Sequence, residues 1–154
     1  MTHRAVAPVI GVVILVAMTV TLAAGVLIIV GDMVPPDPPP AVVFEGTVDV
    51  AEAEFSILHQ QGQDLQMEHV GLSISVDDQP LAHQPPVPFF AATGFASGPT
   101  GPFNPAATDT WTAGERGTIQ LASTNEPLPN ENSTVVVEVS YQEYVIGTVE
   151  LTHR

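Results

Sequence analysis

The sequence contains no cysteine and no lysine, and its three strong bases are arginines set against 17 acidic residues, for a net charge of −14. The absence of cysteine excludes disulfide bonds, thiolate metal sites and a cysteine nucleophile. The shortage of positive charge excludes nucleic acid as a partner, because an acidic surface repels the phosphate backbone.

All 17 carboxylates follow Gly31, where Arg116 and Arg154 are the only strong bases. An acidic surface of this kind is commonly a device for solubility. With lysine absent as well, it predicts a salt-adapted organism, in which dense carboxylates keep the protein hydrated while salt screens their mutual repulsion.

The stretch from Ala5 to Gly31 contains no charged side chain and exceeds the roughly 20 apolar residues that a helix needs to cross a bilayer. It is too long for the apolar region of a secretory signal peptide, although Leu22 to Gly25 imitate a cleavage site. A lipoprotein would need a cysteine. The length fits a membrane anchor.

The charges on either side of this stretch predict its orientation. His3 and Arg4 precede it, whereas Asp32 and Asp37 follow it. The positive-inside rule therefore places the amino terminus in the cytoplasm and the remainder of the chain outside the cell.

The apolar stretch opens with a specific pattern, Arg4-Ala5-Val6-Ala7-Pro8-Val9-Ile10-Gly11. The segment from Arg4 to Ala24 resembles the amino terminus of haloarchaeal type IV pilins, in which a basic and a small residue precede an apolar helix that begins V-S-P-V-I-G-V. Pro8, Val9, Ile10 and Gly11 match that pattern, and Ala7 departs from it where serine is common. The turn from Trp111 to Gly114 is similar to the carboxy-terminal domains of the same family, although more loosely.

The resemblance implies processing by a prepilin peptidase. Residues 1–5 would then be a leader that ends in Arg4 and Ala5, and Val6 would become the new amino terminus. Bacterial type IV pilins carry a glutamate at the fifth mature position, which is Ile10 in this chain. Assembly would consequently depend on packing of the helices alone.

Residues 32–40 form a proline-rich linker between the predicted helix at 6–31 and a domain at 41–154. Five prolines between Val34 and Pro40 cannot continue a helix and favour extended polyproline II. The linker is therefore expected to act as a stiff spacer.

The domain has the period-two pattern of strands. Leu72, Ile74 and Val76 alternate with glycine and serine, and the run from Val135 to Tyr141 continues after a break at Gln142 and Glu143 into Val145, Val149 and Leu151. That final stretch predicts a hairpin. The fold is therefore expected to be mainly β, with an N-terminal hydrophobic α-helix followed by a single antiparallel β-sandwich-like domain.

The segment from Pro85 to Pro105 is predicted to be a long loop that carries four phenylalanines, Phe89, Phe90, Phe95 and Phe103. Long loops in compact domains are often functional, so these side chains could contact neighbouring subunits or a surface. The favoured interpretation is that they complete a small core.

Catalysis has little support, and the chain is not expected to be an enzyme. His59, His69 and His83 match no common metal-ligand spacing and are predicted to be solvated strand or turn residues. Asp77 and Asp78 are expected to occupy a turn. No phosphate-binding glycine motif or serine elbow is present, and no metal or other cofactor is expected.

Asn132-Ser133-Thr134 is a sequon for N-glycosylation, which matters because the domain is expected outside the cell. It precedes the predicted strand at Val135, in a turn. Asn132 is therefore a candidate glycosylation site.

Two functions remain open at this point. The first is a pilin, a structural subunit of an adhesive type IV pilus-like filament, which would interact with the prepilin peptidase, the assembly machinery, the membrane before assembly and other copies of itself afterwards. The second is a single-pass membrane-anchored extracellular domain that binds a ligand or acts in the cell envelope.

Overall fold

The computed structural model describes residues 6–31 and 38–153. It separates the chain into two compact units, of which the first ends at Pro38 and the second begins at Pro39. The predicted leader at 1–5 lies outside the described residues, as does most of the predicted linker.

Helix α1 extends from Val6 to Gly31, and its 26 residues rise about 39 Å at 1.5 Å per residue. Pro8 is tolerated in the first turn because its missing N–H group would have no partner within the helix. The hydroxyl groups of Thr19 and Thr21 donate to the carbonyl oxygens of Val16 and Met18, at 2.8 and 2.9 Å. The few polar side chains of α1 are thus satisfied within the helix itself.

The side chains of α1 from Pro8 to Ile28 are all exposed. This segment has a mean hydropathy of 2.6 and is long and apolar enough to cross a membrane. It has no polar face of the kind that a helix on the surface of a soluble protein presents to water.

Between residues 39 and 153, the second unit contains ten strands and two short 3₁₀ helices, at Met67–His69 and Gly101–Phe103. The strands are β1 Val42–Asp49, β2 Glu54–Gly62, β3 Leu65–Gln66, β4 Val70–Val76, β5 Gln79–Pro80, β6 Thr110–Trp111, β7 Arg116–Gln120, β8 Val135–Tyr141, β9 Tyr144–Glu150 and β10 Thr152–His153.

Two four-stranded sheets dominate the domain. The first sheet has the order β10-β1-β2-β7 and the second the order β5-β4-β8-β9, while β3 and β6 form a small separate pair. Every pairing is antiparallel except that of β10 with β1. The prediction of a mainly β, antiparallel domain that follows an N-terminal helix in the sequence is confirmed.

The chain passes from one sheet to the other at its carboxyl end, where Leu151 separates β9 in the second sheet from β10 in the first. Leu151 is 4% exposed, and its N–H group donates to the carbonyl oxygen of Val135 at 2.8 Å. This crossing joins the two sheets at one side of the domain.

The inner faces of both sheets form one hydrophobic core, as the alternating pattern predicts. Leu72, Ile74 and Val76 of β4 are buried beside Val137 and Val139 of β8. Each buried member of this core lies between Val48 and Leu151, so the domain has a core of its own.

The predicted hairpin between β8 and β9 is present, but Val145 does not share the buried face with Val149. A bulge shifts the register so that Val139 pairs with Gly147 and Ser140 pairs with Val145. Because Ile146 is an extra residue in β9, the residues before it point to the opposite face from the one that simple alternation predicts. Val145 is therefore 59% exposed, whereas Val149 is 8% exposed.

The predicted turn at Asp77 and Asp78 connects β4 to β5. Both residues have a positive φ, 51° and 63°, which is the conformation that a tight two-residue hairpin turn requires. The Asp77 carboxylate also accepts a hydrogen bond from the N–H group of Thr134 at 2.8 Å, which joins this turn to the chain that leads into β8.

Candidate functional site

The residues of the predicted pilin pattern lie in the first two turns of α1. Val6 is the first helical residue, Arg4 and Ala5 lie outside the described residues, and the side chains from Pro8 to Gly11 are exposed. The pattern is thus presented on the surface of the helix.

Two glycines in α1 are not required by the chain around them. A Cβ atom added at Gly11 or at Gly25 would meet nothing within 4 Å. Small residues on an apolar helix let a second helix approach closely. Because Gly11 and Gly25 have no side chain, a second helix can approach the backbone of α1 closely at these two positions.

The exposed surface of α1 determines what the helix can do. Leu22 and Leu27, for example, are 69% and 71% exposed. Burial of apolar surface is favourable by about 25 cal/mol per Å², so water is a poor environment for such a helix. Either a bilayer or other apolar helices would cover it.

The loop from Pro85 to Pro105 uses three of its four phenylalanines to complete the core. Phe89, Phe95 and Phe103 are at most 6% exposed, and the ring of Phe103 packs edge-on against Trp111 with centroids 5.1 Å apart. The favoured interpretation is confirmed for these three. It is wrong for Phe90, which is 66% exposed.

The prediction that His59 is solvated is wrong. Its side chain is 0% exposed and lies against the rings of Phe44 and Trp111. The alternation that buries Phe55 and Ile57 in β2 places His59 on the same inner face. The sequence therefore does contain a signal for the burial of His59, which is its position two residues after Ile57 in an alternating strand. The spacing between the histidines does not reveal it.

The ring of His59 is held from one side. Its Nδ1 atom lies 3.2 Å from the carbonyl oxygen of Trp111, while Nε2 has no hydrogen-bond partner among the described residues. His69 and His83 are exposed, as predicted. In residues 6–31 and 38–153, no three histidine, aspartate or glutamate side chains are grouped so that they could hold a metal ion.

Three surface clefts lie on the domain, of about 390, 450 and 370 Å³. The first is lined by Glu68, Asp109 and the walls of Pro88 and Pro105. The lining of the second consists of Glu126, Gln79, Pro80, Ala82, Pro127 and Leu128. Neither of these two linings includes a histidine or a serine that could act as a base or a nucleophile.

The third cleft includes His153 beside Asp49 and Glu131. The Nε2 atom of His153 lies 2.8 Å from the carbonyl oxygen of Ser133.

Asn132 is exposed in the turn before β8. Its N–H group donates to the side-chain oxygen of Asn130 at 3.0 Å, and the neighbouring Ser133 is 3% exposed. A turn that fixes the backbone and leaves the asparagine side chain in solvent is compatible with a glycan. Modification of Asn132 stays a prediction.

Arg116 is a surface residue to which the sequence assigned no role. It begins β7, its side chain is exposed, and its Nη1 atom donates to the hydroxyl group of Ser56 at 3.1 Å. The signal for it was its position as the only strong base between Ala5 and His153.

No family model matches the chain, and no curated protein is significantly similar to it. The resemblance of residues 4–24 to pilins therefore depends on the quoted pattern itself.

Proposed function

We propose that this chain is the structural subunit of an archaeal type IV pilus-like surface filament that serves in adhesion. In this proposal α1 spans the membrane before assembly and then joins other copies of itself in the core of the filament. The acidic domain lies outside that core and faces the medium.

Two observations carry the proposal together: every side chain of α1 from Pro8 to Ile28 is exposed, and the domain has a core of its own. A helix that served only to tether the domain would need no particular sequence beyond its hydropathy. The pattern from Arg4 to Gly11 adds the features of a processing signal to that helix.

The physical chemistry of such a helix changes with its surroundings. In lipid, apolar helices are not driven together by the hydrophobic effect, because the lipid tails are equally apolar. Outside lipid, the same surface favours bundling by about 25 cal/mol per Å² buried. Transfer of the chain out of the bilayer would therefore drive its assembly.

The charge of the domain supports an outward position. Its carboxylates would keep a filament surface hydrated and would oppose collapse of one filament onto another, to an extent that salt reduces. In such a filament the apolar helices are buried in the core, away from water, and the charged domains are exposed to it.

Mass spectrometry of the protein from its native cells tests the processing step, and electron microscopy of sheared surface material tests the assembly. A mature chain that begins at Val6, found in filaments, is the expected result. A chain with an intact Ala5–Val6 bond that stays in the membrane fraction would contradict the proposal and would favour the anchored extracellular domain instead.

A further inference from the structure

Arg116 makes no ion pair with the described residues of its own chain. In a protein with 17 acidic residues, no carboxylate of the described residues lies within salt-bridge distance of its guanidinium group. The nearest carboxylate in the same row of the sheet is that of Glu45, two strands away across Leu58, and it accepts a hydrogen bond from Gln60. Arg116 therefore keeps most of its donors available to solvent.

The guanidinium group is nevertheless held in position. Ser56, which accepts its hydrogen bond, is only 5% exposed. Both residues lie on the outer face of the first sheet, because Ser56 pairs with Thr118 and Leu58 pairs with Arg116. A fixed, solvent-facing guanidinium loses less entropy when it binds a carboxylate than a free side chain would.

The row of the first sheet next to Arg116 carries short side chains. Short hydroxyl side chains occupy one row across the outer face of the first sheet, from one edge to the other, at a strand spacing of about 4.8 Å. The register places them side by side. The row consists of Thr152, Thr47, Ser56, Thr118 and Thr100.

An exposed aromatic residue, Phe90, belongs to the loop that borders the same edge. Residues 96–100 run alongside β7, where Thr100 donates to the carbonyl oxygen of Thr118 at 3.1 Å, and Gly98 in turn donates to that of Phe90 at 2.8 Å. The backbone of Phe90 is thus hydrogen-bonded to the segment that borders β7. Arginine and aromatic residues are the types enriched in protein interfaces.

We infer that the β7 edge of the domain, defined by Arg116, Thr118 and Phe90, contacts a second copy of this chain, and that Arg116 binds a carboxylate of that copy. The partner follows from charge complementarity, since each copy carries a net charge of −14 and would otherwise repel its neighbours. This inference rests on the proposed function, in which α1 brings many copies together.

The absence of lysine makes a direct test possible. In an Arg116→Lys variant, the new residue carries the only side-chain amine in the protein. A zero-length carbodiimide reagent joins such an amine only to a carboxylate that is in contact with it. The matched control is Gln79→Lys, which places a lysine at an exposed position of β5 in the second sheet.

Filaments in native surface material, with α1 and the domain both present, are treated with the reagent. Their chains are separated on a denaturing gel, and the linked peptides are identified by tandem mass spectrometry. We expect a ladder of covalent dimers and higher multimers joined through position 116 in Arg116→Lys, and none joined through position 79 in the control. Arg116→Gln is expected to lower the temperature at which filaments dissociate, and Arg116→Lys to restore much of the difference.

Two results would overturn the inference. Filaments that are visible by electron microscopy while position 116 stays unlinked, or links only within its own chain, would show that the domain contact is wrong and that the proposed function stands. Absence of filaments in wild type and variant alike would remove the proposed function and this inference together.

Discussion

Helix α1 and the β-domain are both rich in apolar residues, but only the domain buries them within its own chain. In the domain, alternation places Leu72, Ile74 and Val76 in an internal core. In α1, all side chains from Pro8 to Ile28 are exposed. The domain satisfies its hydrophobic surface within one chain, whereas the helix needs an environment that a single chain does not provide.

The largest effect on the amount of protein at the cell surface is expected from placing a charge in α1. Val16→Asp should cost about 2.5–3.5 kcal/mol in membrane insertion, because a carboxylate at the centre of a spanning helix must leave water. We expect most of the protein to be lost from membranes and cell surfaces, as measured by quantitative immunoblotting of fractions.

The same substitution in the domain is the control for that comparison. Val43 lies on β1 and is 42% exposed, so Val43→Asp should change stability by less than about 0.5 kcal/mol and leave the surface level unchanged. An equal loss for both variants would contradict the difference between the two regions.

A second prediction sharpens the comparison inside the domain. Phe103→Ala removes a ring that is 0% exposed and packs on Trp111, and it should lower the free energy of unfolding by about 3–5 kcal/mol. Phe90→Ala, at 66% exposure, should change it by less than about 0.5 kcal/mol. Urea unfolding of the isolated domain, residues 39–154, measures both, and equal effects would mean that Phe90 belongs to the core.

A third prediction concerns the part of β4 that the two-residue strand β5 leaves unpaired. The side-chain amide of Gln84 accepts a hydrogen bond from the N–H group of Ile74 at 2.7 Å and donates one to its carbonyl oxygen at 2.9 Å, as a neighbouring strand would. Gln84→Ala should cost about 1 kcal/mol per lost hydrogen bond at most. Gln79→Ala, an exposed residue of the short β5, should be near neutral, and no difference between the two in the urea midpoint would refute a structural role for Gln84.

The smallest effects are expected at the turn between β4 and β5. Asp78→Gly should be neutral or slightly stabilising, because glycine adopts a positive φ without steric cost. Asp77→Gly should be destabilising by about 1 kcal/mol, since it also removes the hydrogen bond to Thr134. Thermal unfolding compares the two, and a larger loss for Asp78→Gly would contradict this assignment.

The sequence predicted those parts of the domain that depend on local alternation. The buried faces of β4 and β8, the hairpin and the Asp77-Asp78 turn follow from the period of two and from turn chemistry. The exposure of Val145 could not be predicted in this way. A one-residue bulge at Ile146 moves the Val145 side chain to the outer face, and no sequence pattern indicates that bulge.

Other features depend on contacts between distant residues. One example is the parallel pairing of Thr47 with Thr152, and another is the binding of Ile74 by the Gln84 side chain. No local sequence pattern predicts that these segments lie next to each other. For the candidate site, the apolar stretch and the exposed α1 were predictable from composition. The placement of Arg116 over Ser56 required the register of β2 and β7.

The central claim is that α1 is covered by other copies of itself once lipid is absent. Because the chain has no cysteine, Val16→Cys introduces a single thiol in the middle of the helix. In sheared, lipid-free surface filaments we expect this thiol to be protected from a water-soluble maleimide and to react fully after the filaments are dissolved. Rapid labelling in the intact lipid-free material, or recovery of the chain only in lipid-containing fractions, would contradict the claim.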